Sequence, residues 1–258
     1  MDSSQNGSLE FSQKDGGEVR NFWDSTALWR LSYFDDLAAT DPGSLPRCLR
    51  YEQEFVIAEA VLIADEVLGA SSRVVELGTG VGRSIHSLIK EYPSKHFIGV
   101  DFSFRQLAEF SSVLRRESLW NGDVVMADVR RLPLASATQD LALICNQTFG
   151  NFLGDTRQRA LDEIRRVLKK SGRLYIGGFT NISIAADCYD AWDVEVKRIH
   201  QDTGFVELGH YNSWWQKEVD VNDQLANVGF TLDRSEHVKL GFLNVYISSA
   251  EPAGPASR

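Results

Sequence analysis

The sequence is poor in several features that would each have indicated a class of protein. Its 258 residues contain only three cysteines, Cys48, Cys145 and Cys188, and no two of them form a CxxC pair. This spacing favours neither a disulfide framework nor a zinc site. No apolar run approaches the roughly 20 residues that span a bilayer, and the polar first residues do not resemble a signal peptide. We therefore expect a cytoplasmic protein that does not contact a membrane.

Positive charge is also scarce. The chain has 27 Lys and Arg against 36 Asp and Glu, a net charge of −9, and it contains no basic block. Such a chain has no counterion-release drive toward DNA or RNA. The histidines are scattered along the chain, at His86, His96, His200, His210 and His237. We expect no metal and no nucleic acid, a small-molecule substrate, and a monomer or a homodimer.

The pattern along the chain predicts one α/β domain with additions at both ends. Residues 1–20 and 251–258 have the polar, small-residue composition of disordered tails. Residues 21–70 have helical apolar spacing, and we expect them to form a helical N-terminal cap that acts as a lid. Residues 71–250 are expected to form the main domain, with a substrate-side insertion at about 180–217.

Short apolar runs separated by amphipathic stretches mark the strands of the main domain. The first five runs are RVVEL (73–77), HFIGVD (96–101), DVVMAD (123–128), DLALICN (140–146) and RLYIGGF (173–179). Such a pattern predicts an α/β fold with a parallel sheet that is covered on both faces. The last two runs, 229–238 and 242–250, are too close for a crossover helix and therefore pair antiparallel. The prediction is a doubly wound, mostly parallel, seven-stranded sheet with its last strand antiparallel.

The segment RVVELGTGVGRS places three glycines, Gly78, Gly80 and Gly82, where the first predicted strand turns into a helix. Glycine allows a sharp bend and a close approach to a ligand, and a helix N-terminus presents free N–H groups. The segment therefore predicts a nucleotide-like ligand at the carboxyl ends of the strands. Arg83 stands where the dinucleotide fingerprint has its third glycine, and the Glu76 carboxylate suits an amine better than a diphosphate.

Four segments in the order VVELGTGVG, GVDFS, MADVRRLP and LALICN resemble the class I S-adenosylmethionine-dependent methyltransferases over about residues 73–180. The C-terminal pair of strands resembles that family more loosely. The resemblance implies a Rossmann-like fold, S-adenosyl-L-methionine as the cofactor, and methyl transfer to a small molecule. Because the methyl group is already activated, such an enzyme mainly positions a nucleophile and excludes water.

The resemblance also implies which residues bind the cofactor. Ten positions match the family's pattern: Glu76, Gly78, Thr79, Gly80, Gly82, Asp101, Phe102, Asp128, Val129 and Asn146. The glycines and Glu76 would surround the methionine part of the cofactor. Asp101 would bind the ribose hydroxyls, Phe102 would pack near the adenine, and Asp128 would accept from the adenine amino group. The Val129 backbone N–H would meet the ring, and Asn146 would lie near the sulfonium and the acceptor.

Residues on the acceptor side are expected in the loops beyond the strand ends and in the insertion. The candidate catalytic residues are Asn146, Tyr189, His210 and Tyr211, and the candidate substrate-binding residues are Tyr33, Asn151, Trp192 and Trp214. The carboxylates and aromatic rings of residues 187–215 suit an amine, which favours nitrogen over oxygen as the acceptor atom. In the alternative interpretation, the tryptophans of this segment bury an inserted hairpin against the sheet.

Two other functions stay open on the sequence. The same fold and cofactor serve equally for a cyclase or an aminocarboxypropyl transferase, which would release methylthioadenosine instead of adenosylhomocysteine. The chain could also be a non-catalytic homologue that binds the cofactor. The nucleoside by-product separates the first alternative from methyl transfer, and binding without turnover would indicate the second.

Overall fold

The structure is a computed structural model that describes residues 19–25, 47–215, 217–240 and 243–252. The predicted tails, apart from residues 19–20 and 251–252, and much of the predicted cap, including Tyr33, lie outside the described residues. The helices are α1 (residues 19–25), α2 (Arg47–Leu62), α3 (His86–Glu91), α4 (Phe104–Arg116), α5 (Asp155–Val167), α6 (Ala185–Ala191) and α7 (Glu218–Asn227). A π-helical turn, Ile63–Val67, follows α2, and short 3₁₀ turns cover Thr148–Asn151 and Ile182–Ile184.

The strands form two sheets. Their bounds are β1 (Arg73–Leu77), β2 (His96–Asp101), β3 (Gly122–Met126), β4 (Gln139–Ile144), β5 (Leu168–Phe179), β6 (Val196–His200), β7 (Phe205–Leu208), β8 (Asn212–Trp214), β9 (Phe230–Leu240) and β10 (Leu243–Pro252). The main sheet has seven strands in the order β3-β2-β1-β4-β5-β10-β9. All pairs from β3 to β5 are parallel, whereas β10 is antiparallel to both β5 and β9. This confirms the predicted fold, including the antiparallel last strand.

Helices cover both faces of the main sheet, and each face has its own core. In β1, Val75 and Leu77 pack in the core that α5 covers, whereas Val74 packs in the opposite core with Phe97 and Phe110. All five side chains are buried, and each such burial contributes about 1.5–3 kcal/mol relative to exposure. The two cores hold the strands firmly in place, so the loops at the strand ends begin from fixed positions.

The helix after the fourth strand is shorter than the sequence indicated. The segment DTRQRALDEIRRVLKKSG (155–172) has a helical pattern that predicts a helix as far as Gly172, but α5 ends at Val167 and β5 begins at once at Leu168. Leu168 pairs with Gln139 of β4, and the Lys169 ammonium lies 2.6 Å from a carboxylate oxygen of Asp140. Pairing with β4 therefore overrides the helical pattern in this segment.

The helix after β1 begins later than predicted. Residues 78–85 form successive turns, in which the amide of Gly82 donates to Thr79 O and that of His86 donates to Gly82 O, both at 2.9 Å. The α-helix α3 then starts at His86 and is six residues long. The prediction that the helix begins near Gly82 is therefore wrong, because the glycine segment is a loop of turns, and the part of this segment in ligand binding stays a prediction.

The insertion consists of α6 and a three-stranded antiparallel sheet in the order β6-β7-β8. Its aromatic side chains form a third core with Phe55 of α2 and Phe179 at the end of β5. Tyr189 and Trp215 lie inside this core, with their ring centroids 6.0 Å apart. For these two residues the structure agrees with the alternative interpretation, in which aromatic residues of this segment bury an insertion against the sheet.

We predict that Gly82→Ala lowers the free energy of unfolding by about 2–4 kcal/mol. Gly82 has φ +84° and a Cβ at this position would overlap the ring of Phe110, so left-handed strain adds to overpacking. Denaturant unfolding measures the effect. The matched control is Gly69→Ala, at φ +42° with open space around the missing Cβ, where strain alone costs about 1 kcal/mol. Equal losses at the two positions would contradict the role assigned to Phe110.

Candidate active site

A cavity of about 760 Å³ lies at the carboxyl ends of β1, β2 and β4. This volume falls within the range of about 300–1,000 Å³ that is typical of small-molecule sites. Its walls come from the glycine loop after β1, the residues that follow β2 and β4, the segment after β3, and α1. The parallel pairing of the central strands brings these separate parts of the chain to one edge of the sheet.

Most of the predicted cofactor residues line this cavity. Nine of the ten do so, namely Glu76, Gly78, Thr79, Gly80, Asp101, Phe102, Asp128, Val129 and Asn146. Gly82 is the exception and needs a correction: it is buried against Phe110 rather than facing the cavity, so it serves packing. The roles of the other nine toward a ligand stay predictions.

Glu76 is a buried carboxyl group at the floor of the cavity, with a side chain only 3% exposed. The Thr79 hydroxyl donates a hydrogen bond to it, and the Ser84 and Cys145 side chains also bond to it. Burial nevertheless raises the pKa of Glu76 to about 7, because water no longer stabilises the charged form. A cationic group placed beside Glu76 would reverse this effect and favour the carboxylate.

Asp101 ends β2 and holds two loops together. One carboxylate oxygen accepts from the Gly80 amide and the other from the Ser103 amide, both at 2.9 Å. Burial raises the pKa of Asp101 in spite of these bonds. The Phe102 amide also bonds to the carboxylate, so three backbone amides share the four lone-pair directions of its two oxygens. The group can still accept from a ribose hydroxyl, the role that the resemblance implies.

Asp128 also lines the cavity and is paired with Arg130, which is not among the residues predicted from the sequence. The Arg130 guanidinium contacts both carboxylate oxygens of Asp128, at 2.6–3.0 Å, and the Arg130 amide donates to Oδ1 at 2.8 Å. The hydrogen bonds from Arg130 lower the pKa of Asp128, so this carboxylate stays charged. It is half-exposed and can accept from a ligand amino group alongside Arg130.

The helix α1 closes one side of the cavity. The Gln106 side chain donates to the carbonyl of Trp23 at 2.9 Å, and the Ser103 hydroxyl donates to Asp24 at 2.6 Å. Ser103 therefore connects α1 directly to Asp101, whose carboxylate accepts from the Ser103 amide. The Arg20 guanidinium lies 5.9 Å from the centre of the Phe102 ring. These contacts fix α1 against the loop that follows β2.

The remaining wall comes from the β4–α5 connection and from the insertion. Its residues are Asn146, Thr148, Asn151, Phe152, Leu153, Thr156, Tyr211 and Asn212. None of these side chains carries a charge at neutral pH, and we call this part of the cavity the neutral wall. Tyr211 packs against Phe22 and Trp23, with ring centroids 4.9 and 5.2 Å apart, so α1 and the insertion meet over this wall. The predicted acceptor residues Asn146, Asn151 and Tyr211 are thus brought together.

Four predicted acceptor-side residues do not line the cavity, and these predictions are corrected here. Tyr189 is buried in the third core, where its hydroxyl accepts from Trp215 Nε1 at 3.0 Å. His210 is exposed and stacks on Phe22 at 5.5 Å. Trp192 packs against the ring of Tyr189 at 5.2 Å. Trp214 instead donates its indole N–H to the Thr203 carbonyl. Tyr33 lies outside the described residues.

Several residues that line the cavity were not among the residues predicted from the sequence. Arg130 follows Asp128 by two positions, and at this spacing an Asp side chain commonly bonds the backbone of a turn. The contact between Asp128 and Arg130 could therefore have been predicted from the sequence. Thr148 and Phe152 belong to the segment NQTFGNF after the fourth strand, which is where acceptor loops are expected. Trp23 and Asn212 reach the cavity only through tertiary packing, so nothing local marks them.

Comparison with known proteins identifies the central part of the chain. Residues 74–172 match the family model described as a methyltransferase domain. The ubiquinone/menaquinone biosynthesis C-methyltransferase of Syntrophotalea carbinolica is 34% identical over 119 residues, which are 46% of this chain and 48% of that protein. The chain thus matches about half the length of this curated relative. Residues 74–172 are therefore similar to methyltransferase domains, in agreement with the resemblance found in the sequence motifs.

Solved structures extend the likeness over most of the chain, but at identities that show the fold alone. The 1,6-didemethyltoxoflavin-N1-methyltransferase of Burkholderia thailandensis, solved with S-adenosylhomocysteine and 1,6-didemethyltoxoflavin, has a TM-score of 0.64 at 18% identity. The match covers 92% of this chain and 88% of that one. A [4+2]-cyclase matches with a TM-score of 0.63 at 15% identity, covering 92% of this chain and 96% of that one. One fold thus serves different reactions.

The residues of the cavity fit S-adenosylmethionine, the cofactor that the family resemblance implies. Glu76 offers a carboxylate to an ammonium group, Asp101 can accept from a ribose hydroxyl, and Asp128 offers an acceptor to the adenine amino group. Within the described residues, no group of three or more His, Cys, Asp or Glu side chains could hold a metal ion. None of the helices in the described ranges combines the length and apolarity that a bilayer crossing requires.

S-adenosylhomocysteine carries the same ammonium group as S-adenosylmethionine. We predict that it binds more tightly as the pH rises from about 6 to about 7.5. Glu76 has a pKa of about 7 and is largely protonated at the lower pH, and a bound ammonium favours the ionised form. Binding therefore releases a proton from Glu76. At pH values below the pKa of Glu76, the affinity for S-adenosylhomocysteine rises by up to about tenfold for each unit by which the pH increases. Calorimetry in buffers of different ionisation enthalpy measures both quantities.

The control is Glu76→Gln, which keeps the shape of the side chain but cannot ionise. We expect weaker binding in this variant and no proton release from position 76. A native protein that binds the ligand with no proton uptake or release, or a variant with the same pH dependence as the native protein, would contradict the placement of Glu76 beside the ammonium.

Proposed function

We propose that this protein transfers the methyl group of S-adenosylmethionine to a nitrogen atom of a small, uncharged, aromatic or heteroaromatic molecule. The observation that carries the proposal is the neutral wall of the cavity. It presents the rings of Phe152 and Tyr211 together with the amides of Asn151 and Asn212. Such a wall suits a flat acceptor with polar edges, because rings pack on rings and amides bond the polar edge.

The choice of nitrogen rests on where the carboxylates lie. Glu76, Asp101 and Asp128 each occupy a position that the cofactor would use, and the described residues of the neutral wall add no carboxylate and no histidine. A hydroxyl acceptor needs a base to become a strong nucleophile. A neutral nitrogen already has a lone pair, so the protein has only to orient it and exclude water.

When bound, S-adenosylmethionine supplies a methyl group that is activated by the sulfonium. The neutral wall would orient the acceptor in line with that group, and α1 would act as a lid over it. Trp23 and Tyr211 meet over the cavity, with their rings 5.2 Å apart, which supports the exclusion of water from this side. Lids of this kind complete a site and remove solvent at the same time.

A carbon acceptor is the second candidate, and one observation favours it. The curated relative from Syntrophotalea carbinolica is a ubiquinone/menaquinone biosynthesis C-methyltransferase. An electron-rich aromatic carbon also fits the neutral wall, whose described residues include no carboxylate and no histidine. Use of the cofactor by a cyclase or an aminocarboxypropyl transferase stays as a third candidate, because it needs the same cofactor residues.

The test is incubation of the protein with S-adenosylmethionine labelled with ¹³C in its methyl group and a panel of heteroaromatic amines, phenols and quinols. We expect adenosylhomocysteine and one labelled methyl group per acceptor, and the chemical shift of that group distinguishes nitrogen, carbon and oxygen. A methyl group on carbon would favour the second candidate. Methylthioadenosine as the only nucleoside product would overturn methyl transfer, and cofactor binding without any product would indicate a non-catalytic homologue.

We predict that Tyr211→Phe lowers kcat/KM for the acceptor by about tenfold, equivalent to about 1.4 kcal/mol in the barrier. The Tyr211 ring lines the cavity and packs on α1, and the variant keeps this packing while it removes the hydroxyl that would contact the acceptor. Steady-state kinetics at saturating cofactor measure the change, and calorimetry should show unaltered affinity for S-adenosylhomocysteine.

The matched control makes the same substitution at a tyrosine outside the cavity. Tyr189→Phe removes the hydroxyl that accepts from Trp215 Nε1, and the unpaired buried N–H should lower the free energy of unfolding by about 1–3 kcal/mol. We expect kcat/KM to be unchanged in this variant. If Tyr189→Phe lowers turnover and Tyr211→Phe does not, the acceptor site lies elsewhere.

A further inference from the structure

Glu59 is a buried carboxyl group that lies outside the cavity and is not used by the function proposed above. It belongs to α2, is 1% exposed, and points at the end of the main sheet from which the cavity opens. The Asn146 amide donates to it at 3.1 Å, and the Tyr175 hydroxyl donates to it at 3.2 Å. The carboxyl oxygen also lies so close to Gly177 that any side chain there would overlap it.

The amide that Glu59 accepts belongs to a strained turn. Asn146 and Gln147, which follow β4, both have left-handed backbones, with φ +47° and +66°. Residues other than glycine in this region cost about 1–3 kcal/mol each, and they persist only where the surroundings hold them. The Gln147 side chain supplies two further restraints, since it accepts from the Phe179 amide at 2.6 Å and donates to the Trp214 carbonyl at 2.8 Å.

This turn determines where the neutral wall begins. Asn146 itself lines the cavity, and the 3₁₀ turn that follows carries Thr148 and Asn151, which also line it. Because the chain between β4 and α5 is short, a change in the backbone at Asn146 would move both residues. The contact from Glu59 therefore acts on the acceptor side of the cavity, although Glu59 does not reach it.

Titratable and charged groups face Glu59 from β1, from β5, from the end of β4 and from the glycine loop. Glu76 of β1, Cys145 after β4 and Arg83 of the glycine loop interact with it electrostatically, and Tyr175 of β5 bonds to it. Burial, reinforced by the charge of Glu76, raises the pKa of Glu59 to about 8. The carboxyl group is therefore mostly protonated at neutral pH, and ionisation would add a second buried negative charge beside Glu76.

We propose that Glu59 is a positioning residue for the transfer reaction. Its carboxyl group fixes the left-handed turn at Asn146 and Gln147 and thereby orients the neutral wall. The inference rests on the proposed function for its effect on turnover. Its structural half, the fixed turn, does not depend on which reaction the protein catalyses. The two halves are therefore tested by separate measurements.

The first measurement needs no substrate. Hydrogen exchange at the Asn146 amide should be slow in the native protein and faster by at least about tenfold in Glu59→Ala, because the acceptor of that amide is gone. In Glu59→Gln the amide oxygen still accepts from Asn146, so we expect protection close to native. Equal protection in all three proteins would overturn the proposal, whatever the reaction proves to be.

The second measurement uses turnover. In Glu59→Ala we expect kcat to fall by about tenfold or more while the Kd for S-adenosylhomocysteine changes by less than about threefold. Glu59→Gln should retain kcat within about threefold. If Glu59→Ala does not fold, Glu59→Asp takes its place in both measurements with the same expected losses, because its carboxyl group is set back by one methylene from the Asn146 amide.

The matched control is Asp140→Asn, at the other end of β4. The Asp140 carboxylate also accepts backbone amides, those of Ser72 and Arg73 at 3.1 and 3.0 Å, but it lies at the opposite edge of the sheet from the cavity. We expect a change in stability there and no change in kcat. An equal loss of kcat in Asp140→Asn, or a parallel loss of cofactor affinity in Glu59→Ala, would overturn the positioning role.

Discussion

The structure depends on the parallel pairing of β1 with β2 on one side and β4 on the other. Glu76 lies opposite Gly99 of β2 and Leu143 of β4 in this register, so all three strands end at the same edge. Each strand then delivers its next residues to one cavity: the glycine loop, the Asp101 segment and the Asn146 turn. A slip of the register by one residue would direct these groups into the cores instead.

Burial of carboxyl groups at this edge gives the cavity its chemical character. Glu76 and Asp101 are removed from water, and both have raised pKa values because the charged forms lose solvation. A ligand with an ammonium group and a ribose diol would replace the lost solvation, because the ammonium group and the hydroxyls would stabilise the charged carboxylates. The neutral wall contains no charged side chain among its described residues. The carboxyl groups therefore favour cationic and hydroxyl groups of a ligand, whereas the neutral wall favours uncharged ones.

The fold, and the place of nine cofactor candidates in one cavity, could be predicted from the sequence because their signals are local. β1 and β2 have the bounds predicted from their apolar runs, and each cofactor candidate lies at the end of a strand or within a few residues after it. The acceptor side could not be predicted, because orientation there depends on packing. His210 and Tyr211 are neighbours, yet His210 is exposed and only Tyr211 lines the cavity. Glu59 meets Asn146 across 87 positions of sequence, and no local pattern marks such a contact.

The most direct test of the account is a crystal structure of the protein with S-adenosylhomocysteine. The account predicts that a ribose hydroxyl lies within hydrogen-bond distance of the Asp101 carboxylate, that the ammonium group lies beside Glu76, and that the sulfur faces Asn146. A ligand bound outside this cavity, or bound in it with the ribose away from Asp101, would contradict the central claim that these three strand ends form the cofactor site.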